Sequence, residues 1–384
     1  MRIAHVIPTY VPTTRYGGPI QAVHDLCRHL SVRGHQTHVF TTNVDGPGVV
    51  EAMPSEVQDI DGVMVQYFPV RSPRRLYYSP EMGIALERCI TEFDILHLHS
   101  TYLYPTLKAA RCAEAMGVPY VISPRGMLVK NLVRKRNFLI KSLWISLFER
   151  RTVEHASGVH VTSSLEAGEL REFGFSLPPV HTIPNGIDFP IADRQTRREA
   201  GSILFLGRIH WKKGIEKLIS ALPLLNSVEL IVAGNDESGY TAKLAKLCTK
   251  LGVDKRVRFI GSIAGDDKWQ LYRRASVFVL PSLSENLANT VLEAMAMGCP
   301  VVITPEVGLA DAVERHGTGV VSNGEPRALA NAIGSILQDT QAARTMGEKG
   351  RRLVEKSYQW KDIAAAMERV YVEAVGANER RQIA

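Results

Sequence analysis

The chain has 384 residues, with 46 Lys and Arg against 39 Asp and Glu, a formal charge of +7 and a pI near 9.1. That length exceeds one compact core and suits two domains, and Cys27, Cys89, Cys112, Cys248 and Cys299 are too few and too scattered for a disulfide framework or a zinc site. No apolar run approaches the ~20 residues of a membrane span, so the basic excess leaves nucleic acid, anionic lipid and anionic metabolites to be separated by where the charge lies.

Met1-Arg2-Ile3-Ala4-His5-Val6-Ile7-Pro8 has one basic residue and an apolar stretch ended early by proline, so it reads as a first strand and not as a signal peptide. Further strands are predicted at 37–41, 64–68, 95–98, 120–122, 159–161 and 180–183. Between the first two, Pro19 suits a first helical turn, Ile20, Val23, Cys27 and Leu30 repeat at helical spacing, and Gly34 lies where a C-terminal cap glycine belongs. Gly17-Gly18 precedes this helix as a loop at the strand-end rim, without the G-x-G-x-x-G of dinucleotide sites. Asp59-Ile60-Asp61 precedes Gly62 and a strand, which favours a hairpin turn over a metal-holding D-x-D, and no metal is expected.

Asp94-Ile95-Leu96-His97-Leu98-His99-Ser100 is a strand with His97 and His99 on one face, and Ser123-Pro124-Arg125-Gly126-Met127 follows the next strand. From Arg125 to Arg151 the basic residues Arg125, Lys130, Arg134, Lys135, Arg136, Lys141, Arg150 and Arg151 face a single acid, Glu149. Ile140, Leu143, Trp144, Leu147 and Phe148 fall on one helical stripe within it. Two readings stand for 125–151: a helix lying on anionic lipid, or one packed on the sheet with a solvated basic rim. Pro184-Asn185-Gly186-Ile187-Asp188 opens a linker and 194–201 is polar and unpatterned, which puts 1–187 in a first domain and 200–359 in a second.

In the second half, β-rich runs at 202–206, 228–233, 257–260, 276–280 and 301–304 end at Gly207, Gly234, Gly261, Pro281 and Pro305, with helix-length segments between them. Such alternation is α/β grammar: a parallel sheet with helices on both faces and ligands beyond the carboxyl ends of the strands. Leu206-Gly207-Arg208-Ile209-His210-Trp211-Lys212-Lys213-Gly214 leaves the first of these strands, and a bidentate Arg with a point-charge Lys is a sensible diphosphate clamp. The run from Ser284 to Ala296 carries Glu285 and Glu293 with seven residues between them and leads into Gly298-Cys299-Pro300-Val301-Val302. Asn289 is expected to cap the helix holding Glu293. A helix start beside two carboxylates suits a ligand with both phosphate and sugar hydroxyls.

The Glu285–Glu293 run and its flanking strands, the 206–214 segment and the Ile183-Pro184-Asn185-Gly186-Ile187-Asp188 stretch resemble the retaining family-4 glycosyltransferases with their E-x7-E signature. The resemblance covers most of the chain. It implies a GT-B fold: two doubly wound Rossmann-like domains facing a central cleft, with the last helix, 360–384, crossing back to the acceptor-side first domain. It assigns the donor diphosphate to Arg208 and Lys213, leaving Lys212 solvated, the ribose hydroxyls to Glu293 and the transferred sugar to Glu285. Asn286, Leu287 and Ala288, followed by Asn289, stand where relatives often carry glycines and a phenylalanine, and with Gly17 and Gly18 they are donor-side candidates. Gly234 and the Ser262-Ile263 turn are either donor contacts, Ile263 near the base, or plain turn residues. Arg125 occupies a position where many relatives have His, and offers a fixed cation; His99 joins Arg125 and Glu285 as a catalytic candidate.

Retention normally takes two carboxylates flanking the sugar. Only Glu285 is available and the resemblance makes it a binder, so front-side attack, with the departing diphosphate taking the acceptor proton, is expected. The function implied is transfer of a hexose or acetamidohexose from a UDP-, GDP- or ADP-sugar to a glycan or lipid-linked acceptor in polysaccharide or lipid-linked glycan assembly. No cofactor or metal is required, and the enzyme is cytoplasmic, with peripheral membrane contact through 125–151 as one option. The alternatives are a sugar-nucleotide epimerase or hydrolase on the same fold and a non-catalytic lipid-binding protein. Nucleic acid is excluded because the basic residues lack interleaved aromatic stacking groups.

Overall fold

Runs of β-branched and aromatic residues buried on both faces form the parallel sheets of the computed structural model, which describes residues 1–13, 18–45, 48–49, 56–130, 133, 138–190, 198–236 and 239–383. The chain divides into two compact units, Met1–Gly186 with Trp360–Ala384, and Ile187–Gln359. Gly17 and the Arg134, Lys135, Arg136 cluster lie outside the described residues.

In the first unit, β1 (Arg2–Val6), β2 (Gln36–Thr42), β3 (Gln58–Ile60), β4 (Val63–Phe68), β5 (Ile95–His99), β6 (Tyr120–Ser123), β7 (Gly158–Val161) and β8 (Val180–Thr182) form one sheet, in the order β8-β7-β6-β5-β1-β2-β4-β3. Only β3, antiparallel to β4, departs from parallel pairing. The β3–β4 turn is the hairpin expected from Asp59-Ile60-Asp61-Gly62, closed by Gly62 N–H donating to Asp59 Oδ1 at 2.8 Å. Helix α1 (Gly18–Val32) buries the predicted stripe of Ile20, Val23, Cys27 and Leu30. The terminal helix, Trp360–Ile383, buries Ile363, Met367, Val370 and Ala374 in a cluster with Leu26 and Leu30 of α1 and with Ile3, Ile95 and Val121 of the sheet. Each of its larger aliphatic side chains contributes roughly 1.5–3 kcal/mol by that burial.

The basic segment is not the single amphipathic helix its spacing predicts. Helix α2 (Phe138–Trp144) and helix α3 (Arg150–Glu154) are joined by a π-helical turn, Ile145–Glu149. The wider turn shifts the phase, so Ile145, Glu149 and Val153 face inward while Leu143 and Leu147 are 61% and 58% exposed.

The second unit holds β9 (Ser202–Leu206), β10 (Glu229–Ala233), β11 (Val257–Gly261), β12 (Val277–Leu280), β13 (Val301–Ile303) and β14 (Gly319–Val321), all parallel, in the order β11-β10-β9-β12-β13-β14. β14, three residues opened by a glycine, carries too little pattern for the sequence to predict it. Arg198, in the stretch read as polar linker, instead bonds into this unit, its guanidinium reaching the carbonyls of Tyr272, Arg273, Ala275 and Met297.

Both sheets reverse their strand order once. In the first, the chain runs outward from β1 and restarts on its other side at β5; in the second it runs outward from β9 and restarts at β12. Within the first sheet the loops after β1 and β5, and within the second those after β9 and β12, each flank a switch-point crevice of the kind where open α/β sheets take ligands.

Candidate active site

In the second unit the two sequence motifs fall on the two strands beside the reversal. Arg208 and Lys213 leave β9, and Glu285 follows β12. The loops interlock: the Lys212 carbonyl accepts from Leu283 N–H at 2.7 Å and from Ser282 Oγ at 3.0 Å. Gly214, at φ +66°, is required there, because a Cβ would stand 2.0 Å from the Pro281 carbonyl oxygen. The Lys213 ammonium pairs with Glu285 Oε1, with only 15% and 18% of the two side chains exposed, and the same oxygen lies 3.2 Å from Ser282 Oγ, whose single proton is shared between it and the Lys212 carbonyl. The Glu285 backbone is fixed by its N–H donating to Glu306 O and by Gly308 N–H donating to its carbonyl, both at 2.9 Å. Arg208 is exposed. Lys212 is not fully solvated as expected: it is half-buried, with its ammonium 6.0 Å from the Trp211 ring centroid.

Helix α5 (Asn289–Ala296) carries Glu293, but Asn289 is its first residue and not its cap. The cap position falls to Ala288 at φ +74°, with no side-chain cap. Leu287, 3% exposed, anchors the loop in the core, so the chain must turn into the helix one residue later, in the left-handed region. Its side chain is thus a loop anchor; Asn286, Ala288 and Asn289 are half-buried around it. Gly234 also acts through packing, since a Cβ there would meet the Gly207 carbonyl oxygen at 1.8 Å beneath the Arg208 loop. Ile263 packs partly against the second core.

Glu293 has partners that sequence reasoning missed. Helix α4 (Gly265–Arg274) presents Lys268 Nζ to Oε1 at 2.9 Å and the Tyr272 hydroxyl to Oε2 at 2.7 Å. Their spacing of four along a helix placed them on one face, a signal available in the sequence. The Tyr272 phenol is pushed well above its ordinary pKa by burial and then by Glu293, so it remains a donor.

The first-unit crevice is built from neutral histidines and one guanidinium. Arg125, at φ +54° after β6, donates to Asn185 Oδ1 at 3.0 Å and faces His99 Nδ1 at 3.4 Å. A guanidinium has only donors, so His99 Nδ1 must accept and its Nε2–H donates to His5 Nδ1 at 3.0 Å. A second chain is fixed at its far end by the Ile183 carbonyl, which accepts from His160 Nε2. Ser123 Oγ–H then donates to His160 Nδ1, His97 Nε2–H to Ser123 Oγ, and the Tyr371 hydroxyl of the terminal helix to His97 Nδ1, each at 2.7 Å. Burial, assisted by charge from Arg125, lowers His5 and His160 to about 3 and holds His97 and His99 well below the ordinary value.

His99, placed among the catalytic candidates, is completely buried behind Arg125, where its Nδ1 orients the guanidinium. Ring nitrogens of His5, His97 and His99 lie within 4.8 Å of one another. Both nitrogens of His97 and of His99 are already spent on hydrogen bonds, and a guanidinium adjoins them, so the trio does not make a cation site. Gly18, the other first-unit candidate, is the exposed opening residue of α1. Glu149, the lone acid of the basic segment, is buried and accepts at one oxygen from Tyr102 N–H at 2.7 Å and from Trp144 Nε1 at 2.8 Å. It thereby pins a loop after β5 in which Ser100 and Tyr102 have φ of +76° and +63°.

Two family models match: Glycosyltransferase Family 4 over residues 16–189 and Glycosyl transferases group 1 over residues 191–353. An uncharacterized glycosyltransferase of Methanocaldococcus jannaschii is 28% identical over 396 residues, covering 97% of this chain and 98% of its own. Among solved structures, sucrose-phosphate synthase from Thermosynechococcus elongatus superposes with a TM-score of 0.79 at 22% identity, over 98% of this chain and 99% of that one. Anabaena HepE in complex with UDP-glucose superposes with a TM-score of 0.74 at 20% identity, over 96% and 99% of the two chains. The protein is a nucleotide-sugar-dependent glycosyltransferase of the GT-B fold, its first half matching the family-4 model and its second the group-1 model.

Proposed function

We propose that this glycosyltransferase is a retaining enzyme that moves a hexose or acetamidohexose from a UDP-, GDP- or ADP-sugar to a hydroxyl of a glycan or lipid-linked acceptor, without a metal ion. The observation that carries this reading is the meeting of the basic loop and Glu285 at the β9/β12 reversal, where Lys213 and Glu285 neutralise each other. A donor diphosphate would take Lys213 as its counter-charge, with Arg208 as its second contact, and so release Glu285 to accept from the sugar hydroxyls. Glu293 accepts from the ribose. The start of α5, which no side chain caps, favours negative charge. Arg125 is the fixed cation of the acceptor side, held by Asn185 and His99. With Glu285 engaged as a binder, front-side attack needs no protein nucleophile, and the leaving diphosphate takes the acceptor proton; a trapped covalent glycosyl-enzyme would refute this.

Calorimetric titration with UDP-, GDP- and ADP-glucose tests the donor assignment, with UDP-glucose first because HepE is seen with it. Arg208→Ala and Lys213→Ala should each weaken binding by ~1.5–3 kcal/mol, the worth of a charge-assisted contact; unchanged affinity in both sinks the diphosphate assignment. Nucleotide release that requires a lipid or glycan extract separates transfer from the epimerase and hydrolase alternatives, and product anomer analysis reads retention. Activity lost with chelator and restored by Mn²⁺ would contradict metal independence.

A second, peripheral role for the α2–α3 segment is favoured by the exposed Leu143 and Leu147 beside Arg150 and Arg151, with Glu149 turned inward. No described helix is long and apolar enough to cross a membrane. Attachment at a cytoplasmic leaflet predicts sedimentation with anionic but not neutral liposomes at low salt, weakened in Leu143→Ser/Leu147→Ser. Equal behaviour with both liposome types refutes it.

A further inference from the structure

Tyr272 is fully buried and its ring is fixed on two sides, by Phe278 of β12 at 5.7 Å and Trp269 at 6.3 Å between ring centroids. Its hydroxyl therefore reaches Glu293 Oε2 from one direction only, at 2.7 Å, while Lys268 Nζ takes Oε1 at 2.9 Å with its ammonium 4.4 Å from the Trp269 ring centroid. An ionised carboxylate has two acceptor sites on each oxygen. One site on each is thus occupied in the free protein, which leaves acceptor capacity on both oxygens. Two oxygens of one carboxylate can accept from the two hydroxyls of a vicinal diol.

We infer that Tyr272 is a positioning residue for the sugar half of the nucleotide: it aims Glu293 so that the remaining acceptor sites meet the ribose 2′- and 3′-hydroxyls. This rests on the reading of Glu293 as the ribose ligand. Lys268 has a different part. It pairs with Oε1 and places a positive charge near the diphosphate, which acts whether or not the ribose carries hydroxyls.

The test is calorimetry of the full chain with UDP and with 2′,3′-dideoxy-UDP, or the corresponding GDP or ADP pair if that base binds tighter. The unaltered protein should prefer the ribonucleotide by roughly ten- to a hundred-fold, the worth of hydrogen bonds to a charged acceptor. Tyr272→Phe keeps the ring packing and should bring that preference to about three-fold or less, with dideoxy-UDP affinity unchanged, which also reports an intact fold. Lys268→Gln should weaken both ligands by the same factor. A full preference retained in Tyr272→Phe overturns the inference, as does a Lys268→Gln loss confined to UDP. If the unaltered protein shows no preference, the ribose role of Glu293 falls first and the inference with it, a failure visible before any variant is made.

Discussion

The strand-order reversals of the two units share a topology and differ in electrostatics. Beside the β9/β12 crevice the ion pairs are half-buried: Lys213 with Glu285 and, on α4 and α5, Lys268 with Glu293. On β1, β5 and the neighbouring β7 lie four fully or nearly buried neutral histidines, with one guanidinium after β6. A site for a diphosphate needs charges that can change partners, and partly solvated pairs do so at little cost. Rigid neutral chains instead fix direction, because each proton has one place to go. The topology thus specifies where a ligand binds, and the side chains beside the reversal decide what kind.

The largest effect expected from this contrast is acid sensitivity confined to the first unit. His5, His97, His99 and His160 have folded-state pKa values below the unfolded value of about 6.5, so between roughly pH 3 and 6.5 the unfolded chain binds more protons. Their contribution is complete above that window and is lost as pH falls through it, by up to ~1.4 kcal/mol per histidine per pH unit. Four together approach the whole stability of a domain. Calorimetry at pH 7.5 and 5.5 should show one of two transitions dropping while the other stays; equal shifts in both would break the contrast, since the second unit's described histidines, His210 and His316, are not buried.

Next is turnover. On the proposed roles, in which one carboxylate meets the reacting sugar and the other the ribose, Glu285→Ala should lower kcat about hundred-fold with a modest change in donor KM, whereas Glu293→Ala should chiefly raise donor KM. Parallel changes in both parameters for both variants would refute that division.

Arg125→His should keep more activity than Arg125→Ala, on the order of ten-fold, if the position needs a donor held by Asn185 and His99. Indifference to both would make the first-unit network purely structural. The smallest effect is at Ala288: Gly at φ +74° relieves left-handed strain against a small entropic loss, a net gain of about 1 kcal/mol, read as a raised melting temperature. A lowered one would mean that the turn is unstrained.

The sequence was sufficient for what depends on local chemistry. A helical period located the α1 stripe, β-rich runs closed by Gly or Pro located the buried strands, and the chemistry of Arg208, Lys213, Glu285 and Glu293 singled out the segments after β9 and β12. It could not show what depends on closure. Whether His99 faces substrate or lies behind Arg125 depends on His5, 94 residues away in the chain, and whether Glu293 is aimed depends on a tyrosine that a different strand, β12, presses into place. The cap of α5 was misplaced for the same reason: propensity favoured Asn289, and burial of Leu287 overrode it. In the 138–154 segment the even helical period that the sequence predicts is broken by a π turn, which resets the phase and turns Glu149 inward to hold Tyr102. Local sequence sets which residues can bind phosphate and sugar; only packing between distant segments sets which of them face a ligand, because burial and hydrogen-bond partners are properties of neighbours in space and not of neighbours in the chain.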